Sequence, residues 1–251
     1  MKSQAWIIGV GVGSFFVFLF AMLPARLLSA FVPAGTAQIV GLTGTLWHGN
    51  AQTINAAGLQ FRDTDFEISP LGLLAGRLSL SFDGDWGTGY ARGDVSVGLT
   101  GSLSVHNLEA AGPLAPVLQM MNLQGNSGEL SIRIDTLEII DDWPRNIIGF
   151  VRVGNLPLSM IGVSGGVSGN YELRFDVPKV AADGSILGEL TDLGGPLQIT
   201  GVIRLSKPRN YSVDANIKPR PDAPNDLKQG LMLIGAPEPD GSREFVMTGS
   251  F

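Results

Sequence analysis

Residues 162–166 read GVSGG and set Ser164 in the G-x-S-x-G spacing of a nucleophile elbow. That chemistry needs a strand before the serine, a helix after it and a histidine later in the chain. The sequence after Ser164 is GGVSGNYELRF, which reads as turn and strand, and both histidines, His48 and His106, come earlier. The serine therefore predicts a glycine-rich turn. Asp83 and Asp85 in DGDWG resemble the start of a calcium loop but lack its bidentate glutamate. Two isolated histidines and no cysteine do not supply the nitrogen and sulfur ligands of a zinc site. GTGYARG (87–93) has the wrong glycine spacing for a dinucleotide loop. The carboxylate pairs Asp63/Asp65 and Asp141/Asp142 would need burial to act as acid and base. They fall on strand faces and turns, where water screens them. The expectation is a protein with no catalytic residue, no cofactor and no metal, and so no enzyme.

The elements that carry these residues follow from composition. Of 251 residues 44% are apolar and 16% charged, enough for a core and one membrane segment. The net charge is −6 with no basic cluster, so no nucleic-acid partner is expected. Thirty-four glycines without a collagen period predict many turns. The absence of cysteine excludes disulfides and thiol chemistry.

From Ala5 to Leu23 the chain reads AWIIGVGVGSFFVFLFAML, without a charge. This is long enough to cross a hydrocarbon core of about 30 Å as a helix. A signal peptide has a shorter apolar core and a small-x-small cleavage site. Here the candidate cleavage points, after Ala25 or Ala30, have leucine three back. The sequence thus predicts a cytoplasmic tail over 1–4, a transmembrane helix over 5–23, a juxtamembrane linker over 24–38 and a β domain over 39–251. Lys2 and Arg26 flank the run almost evenly, and the next positive residue is Arg62. The favoured orientation puts the body in the periplasm of a two-membrane bacterium, held by a single pass in the inner membrane. Ala5, Gly9 and Gly13 form a small-xxx-small face that suits packing between membrane helices.

Beyond Pro33, short stretches alternate apolar and polar residues. They include GRLSLSF (76–82), GDVSVGL (93–99), GELSIRID (128–135), GNYELRFDV (169–177) and REFVMTGSF (243–251). Period-two alternation buries one face of a strand and wets the other. In 128–135 the inward set is Leu130, Ile132 and Ile134. Alternation in place of continuous apolar runs predicts antiparallel pairing. Asp83-Gly84, Asp183-Gly184 and Asp240-Gly241 read as hairpin turns. Three stretches, 69–76, 112–125 and 223–235, read as short helices that plug an end or seam of the sheet. Asn225 is the expected cap of the last and Gly235 its stop, and Met120 and Met121 read as core filler. The fold class is all-β: a membrane helix, then a curled, mainly antiparallel sheet, trough-like or sandwich-like, with a few short helices.

LTGTLWHGN (42–50) reads as a first strand that carries Trp47 on one face, followed by a Gly49-Asn50 turn. Gly44, Thr45, Leu46, Trp47 and Gly49, together with Trp143 in IIDDWPRNIIG, are candidate interaction residues or fold anchors. An anchor followed by GLTGTLWHGNA resembles the opening of the type II secretion system protein N family. The ISPLGLLAGRLSLSF stretch, GELSIRIDTLEI, Trp143 and the closing LIGAPEPDGSREFVMTGSF match that family in order, over nearly the whole chain. The resemblance implies a non-catalytic inner-membrane component of the machine that exports folded periplasmic proteins. Its expected partners are other inner-membrane components of that machine and the bilayer around 5–23. The strand grammar also resembles AsmA-like proteins, whose sheets form an apolar trough. On that alternative, lipid would lie over Leu130, Ile132, Leu173 and Phe175.

Overall fold

The computed structural model describes residues 13–31, 35, 37–56, 58–120, 127–158, 167–176, 184–232 and 235–250. The alternating segments become thirteen strands among these residues: β1 (Ala37–Gly44), β2 (His48–Ala56), β3 (Leu59–Ile68), β4 (Arg77–Trp86), β5 (Gly89–Gly98), β6 (Leu103–Pro113), β7 (Glu129–Ile140), β8 (Trp143–Pro157), β9 (Ser168–Phe175), β10 (Ile186–Asp192), β11 (Leu197–Ser206), β12 (Asn210–Pro219) and β13 (Arg243–Ser250). They form a single sheet in chain order, every strand antiparallel to its neighbours, with β1 and β13 at its edges. The sandwich that the sequence left open is not built, and neither is the expected curl: β1 and β13 remain the two edges of one open sheet. Short connections can only return the chain beside the strand it has left, so a meander results.

Register gives the sheet two distinct faces. Ala91 pairs with Ala110, Ala110 with Ile132, Ile132 with Val151 and Val151 with Leu173, so these side chains share one face. Leu130 and Ile134 are buried on that inner face, and Glu129, Arg133 and Asp135 are exposed on the other. The outer face carries ion pairs, such as Arg92 with Glu109 at 2.6 Å. Glu172 is buried there between Arg152 and Arg174. Burial pushes its carboxyl up, but the hydrogen bonds from the two guanidinium groups together outweigh this and hold it below the usual range.

A meander alternates its connections between two ends. The β1–β2, β3–β4, β5–β6 and β7–β8 connections lie at one end, here called proximal. The β2–β3, β6–β7 and β12–β13 connections lie at the other, distal end. The first helix, α1, covers residues 13–21 of the described chain and reaches the proximal end. A 3-10 turn (Ala25–Leu27) and α2 (Leu28–Phe31) follow. The β3–β4 connection holds α3 (Pro70–Leu74), the β6–β7 connection α4 (Ala115–Met120) and the β12–β13 connection α5 (Asn225–Leu231). No helix among the described residues is long and apolar enough to cross a membrane. The expected span over 5–23 lies partly outside them, as do Ala5 and Gly9.

The inner face is packed in three sections. Leu227 and Leu231 of α5 meet Tyr171, Leu197 and Ile217. Leu114 and Leu118, at and within α4, meet Trp86, Ala110 and Leu130. Ala25 and Leu28 meet Phe66, Ile68 and Leu80. The expected plugging role thus holds for α4 and α5. It fails for α3: Leu71, Leu73 and Leu74 are 73%, 43% and 86% exposed. With only five residues in the tight β3–β4 connection, α3 stays at the sheet's proximal end. The Met120 side chain and Met121 lie outside the described residues.

Two local expectations are corrected. Asp83-Gly84 is no turn; both residues lie within β4, and the β4–β5 reversal falls at Gly87, with φ +62°. Gly84 answers a different need, because a Cβ there would stand 2.5 Å from Thr64 Oγ1. In α5 the cap position is Pro224, in extended conformation, and Asn225 is the first helical residue. The helix gives way at Met232, before Gly235.

Candidate functional site

The stretch around Trp47 is a joint between α1 and the sheet. Its turn comes earlier than the sequence indicated: β1 ends at Gly44, residues 45–47 reverse the chain, and Gly49 and Asn50 lie inside β2. Gly44 takes φ +90°, a conformation costly for any residue with a Cβ. That shift puts Trp47 in the turn, free to reach off the sheet. Its Nε1–H donates to the Phe20 carbonyl at 2.7 Å, and the indole lies 4.5 Å from the Phe20 ring, centroid to centroid. The Leu46 N–H donates to the Leu23 carbonyl at 2.7 Å. The last carbonyls of a helix have no partner within it, and here the turn supplies donors where α1 ends. The turn is held in place by the Thr45 N–H donating to the His48 carbonyl and the Ile68 N–H donating to the Trp47 carbonyl. Gly49 is buried, and a Cβ on it would come within 2.7 Å of the Phe66 ring. Thus Gly44, Thr45, Leu46, Trp47 and Gly49 converge on one structure. His48 is exposed at its rim.

Beside the joint, the inner face holds an apolar cavity of about 430 Å³. Its walls include Leu28, Leu42, Ile54, Phe61, Phe66 and Leu80. Its floor is a row of small side chains across four strands: Ala51 pairs with Thr64, Thr64 lies against Gly84, and Gly84 pairs with Ala91. Among the described residues of the lining Thr64 is the one polar side chain, and its Oγ1 is buried without a hydrogen-bond partner. Among the described residues no cluster of metal-ligating side chains is found.

The proximal end is also where large apolar side chains face outward. On α1, Phe15, Phe16, Val17 and Phe18 are each more than 60% exposed. Leu71 and Leu74 of α3 and Leu99 of the β5–β6 connection, 90% exposed, belong to the same end.

Other sequence candidates fall elsewhere. Trp143 is 3% exposed at the start of β8, after a reversal at Asp141 and Asp142 with positive φ, so its indole is buried and away from the joint. A Cβ on Gly13 would meet open space. Ser164 lies outside the described residues. The trough expected over Leu130 and Ile132 is filled there, because Leu114 and Leu118 pack onto it; Phe175 is itself 6% exposed. Asp63, Asp65, Asp141 and Asp142 are exposed. Sequence reasoning missed Phe20 and Leu23 as partners of the joint, and it missed the cavity. The available signal for the second was the recurrence of small residues at inward positions of successive strands.

A family model for the type II secretion system (T2SS), protein N, matches residues 36–246. The type II secretion system protein N of Aeromonas hydrophila is 26% identical over 263 aligned positions, which cover 98% of this chain and 97% of that protein. No solved structure matches. The family match runs from the start of β1 into β13, through the Trp47 turn, the small-residue floor and both plugging helices, and on that extent the chain belongs to the type II secretion system protein N family.

Proposed function

We propose that this chain is a single-pass inner-membrane component of the type II secretion machinery, with an accessory or assembly role and no catalysis. The observation that carries the proposal is the family match from β1 into β13. On this reading residues 1–4 are cytoplasmic, 5–23 cross the membrane, 24–38 join the helix to the body, and 39–251 form a periplasmic β domain. The charge-free run from Ala5 to Leu23 supports the anchor. So does the joint: a turn that caps α1 with Trp47 and Leu46 transmits the helix's position to a rigid sheet. The exposed leucines of α3 and Leu99 sit at the end from which α1 leaves, as a surface resting on a bilayer would require. The partners are other inner-membrane components, met through the Ala5, Gly9 and Gly13 face or the proximal leucines.

Deleting the gene in its own bacterium tests the proposal. Cargo is expected to reach the periplasm and accumulate there, with recovery on supplying the intact chain and poor recovery with Trp47→Ala. Normal appearance of cargo in the medium sinks the secretion role.

A further inference from the structure

We propose that the cavity above the Ala51–Thr64–Gly84–Ala91 floor holds one hydrocarbon chain of a bilayer lipid. The cavity measures about 430 Å³, inside the range of roughly 300–1,000 Å³ typical of small-ligand pockets. Protein interiors tolerate few voids larger than a water molecule. Ordered water is a poor occupant, because a buried water needs polar partners and this lining offers only the Thr64 hydroxyl.

The same poverty of polar groups selects the occupant. An extended peptide would bring amides that find no partner in these walls, a costly burial. A helix, about 10–12 Å wide with a pitch of about 5.4 Å, would fit no more than a single turn. A hydrocarbon chain asks for no hydrogen bond and is narrow enough to lie along the floor between Leu42, Phe61, Phe66 and Leu80.

Position identifies the source. Leu28, in the cavity wall, comes seven residues after the last residue of α1. Ile68, another wall residue, donates its N–H to the Trp47 carbonyl of the joint. The cavity therefore lies beside the joint, which is at the proximal end, where Leu71, Leu74 and Leu99 are exposed and from which α1 leaves with Phe15 and Phe16 exposed. The other two sections of the inner face are closed by the chain's own leucines at α4 and α5. The proposal concerns binding of one chain and not its transport, and it rests on the membrane-anchor reading only for where the chain comes from.

The test uses the full-length protein in vesicles of phosphatidylethanolamine and phosphatidylglycerol. These are doped with a phospholipid that carries a diazirine at the end of one acyl chain, and cross-linked residues are mapped by mass spectrometry. Attachment is expected at floor and wall residues, such as Ala51, Phe61 and Ala91, as well as within 5–23. Ile54→Trp, which fills the cavity from a half-exposed position, should lower attachment to the floor about tenfold, the loss that matches about two methylene groups left unburied. Labelling of 5–23 should not change. Ile39→Trp, on the edge strand, serves the same purpose should Ile54→Trp fail to fold. Thr64→Val should leave floor labelling intact. Labels confined to 5–23 overturn the cavity proposal and leave the anchor standing. Labels in neither place overturn both. Floor labelling indifferent to the filling variants, or a photoprobe at Ile54 that captures a polypeptide in place of lipid, also overturns it.

Discussion

The two ends of the strand order solve one problem in opposite ways. Near the C-terminus, α5 drives Leu227 and Leu231, both 0% exposed, onto Tyr171, Leu197 and Ile217. Near the N-terminus, Ala25 and Leu28 pack against Phe66 and Ile68, and about 430 Å³ stays open beside Leu28. The strands are of the same kind in both sections. What differs is the floor: large side chains in one, and Ala51, Thr64, Gly84 and Ala91 in the other. Interiors are close-packed, so a section floored by small residues and covered by a short segment cannot close on itself. The first section is a core; the second is built as a receptacle.

The comparison can be broken by mutation, and the largest effect belongs to the sealed section. In the full chain in mild detergent, Leu231→Ala should lower unfolding stability by about 2–5 kcal/mol, the range for deleting a fully buried leucine. A loss below about 1 kcal/mol, well under that range, would show that α5 is only loosely seated. Next comes the joint. Trp47→Ala removes both the ring contact with Phe20 and a donor, and should cost about 2 kcal/mol. Protease cleavage between residues 24 and 36 should rise with it. Trp47→Phe keeps the ring and should cost about 1 kcal/mol; equal effects of the two variants would argue that the hydrogen bond alone matters. Leu28→Ala should cost about 1 kcal/mol, well under Leu231→Ala, because its side chain already borders a void and forfeits fewer contacts.

Acid should separate the sections as well. Burial pushes the Asp192 carboxyl up, but the Arg220 guanidinium and the backbone N–H groups of Ile199 and Gly194 together hold it below the usual carboxylate range. A depressed folded pKa contributes stability that is complete above the unfolded value of about 4 and is lost as pH falls through the folded value. Hydrogen exchange should therefore show β10 to β12 loosening first below about pH 4, and Asp192→Asn should flatten that dependence. The N-terminal cavity has no titratable group among the residues of its lining. Hydrogen bonds from Ser81 and Asn107 hold the Asp94 carboxyl of β5 below its usual range, but it is less buried than Asp192, so exchange there should follow pH less steeply in this window. The smallest effect is a gain: Thr64→Val removes a buried hydroxyl with no partner and should stabilise the chain by about 1 kcal/mol. Destabilisation instead would mean that the hydroxyl is satisfied when the cavity is occupied.

Much of this was legible in the sequence, and the failures have a common cause. Leu130, Ile132 and Ile134 announced their face because alternation is a local property of a strand. The segments 112–125 and 223–235 announced α4 and α5 because helical spacing breaks that alternation. Asp83-Gly84 misled because a glycine required by a neighbour on the next strand looks the same as one required by a turn. Trp47 stood out as an aromatic in a nest of glycines, but its partner, Phe20, lies 27 residues away inside a charge-free run of many similar apolar residues. The leucines of 69–76 were read as a plug; nothing in their spacing tells a buried leucine stripe from one left outside for another surface.

The sequence by itself determined a charge-free N-terminal run and alternating strands that pair antiparallel, because each depends on residues close together in the chain. Only the tertiary structure decided that α1 is capped by the Trp47 turn and that a receptacle lies next to it. Ala51, Thr64, Gly84 and Ala91 are ordinary residues on four strands. They become one floor only when the register of β2 through β5 sets them side by side, and pairing register is a property of the folded sheet.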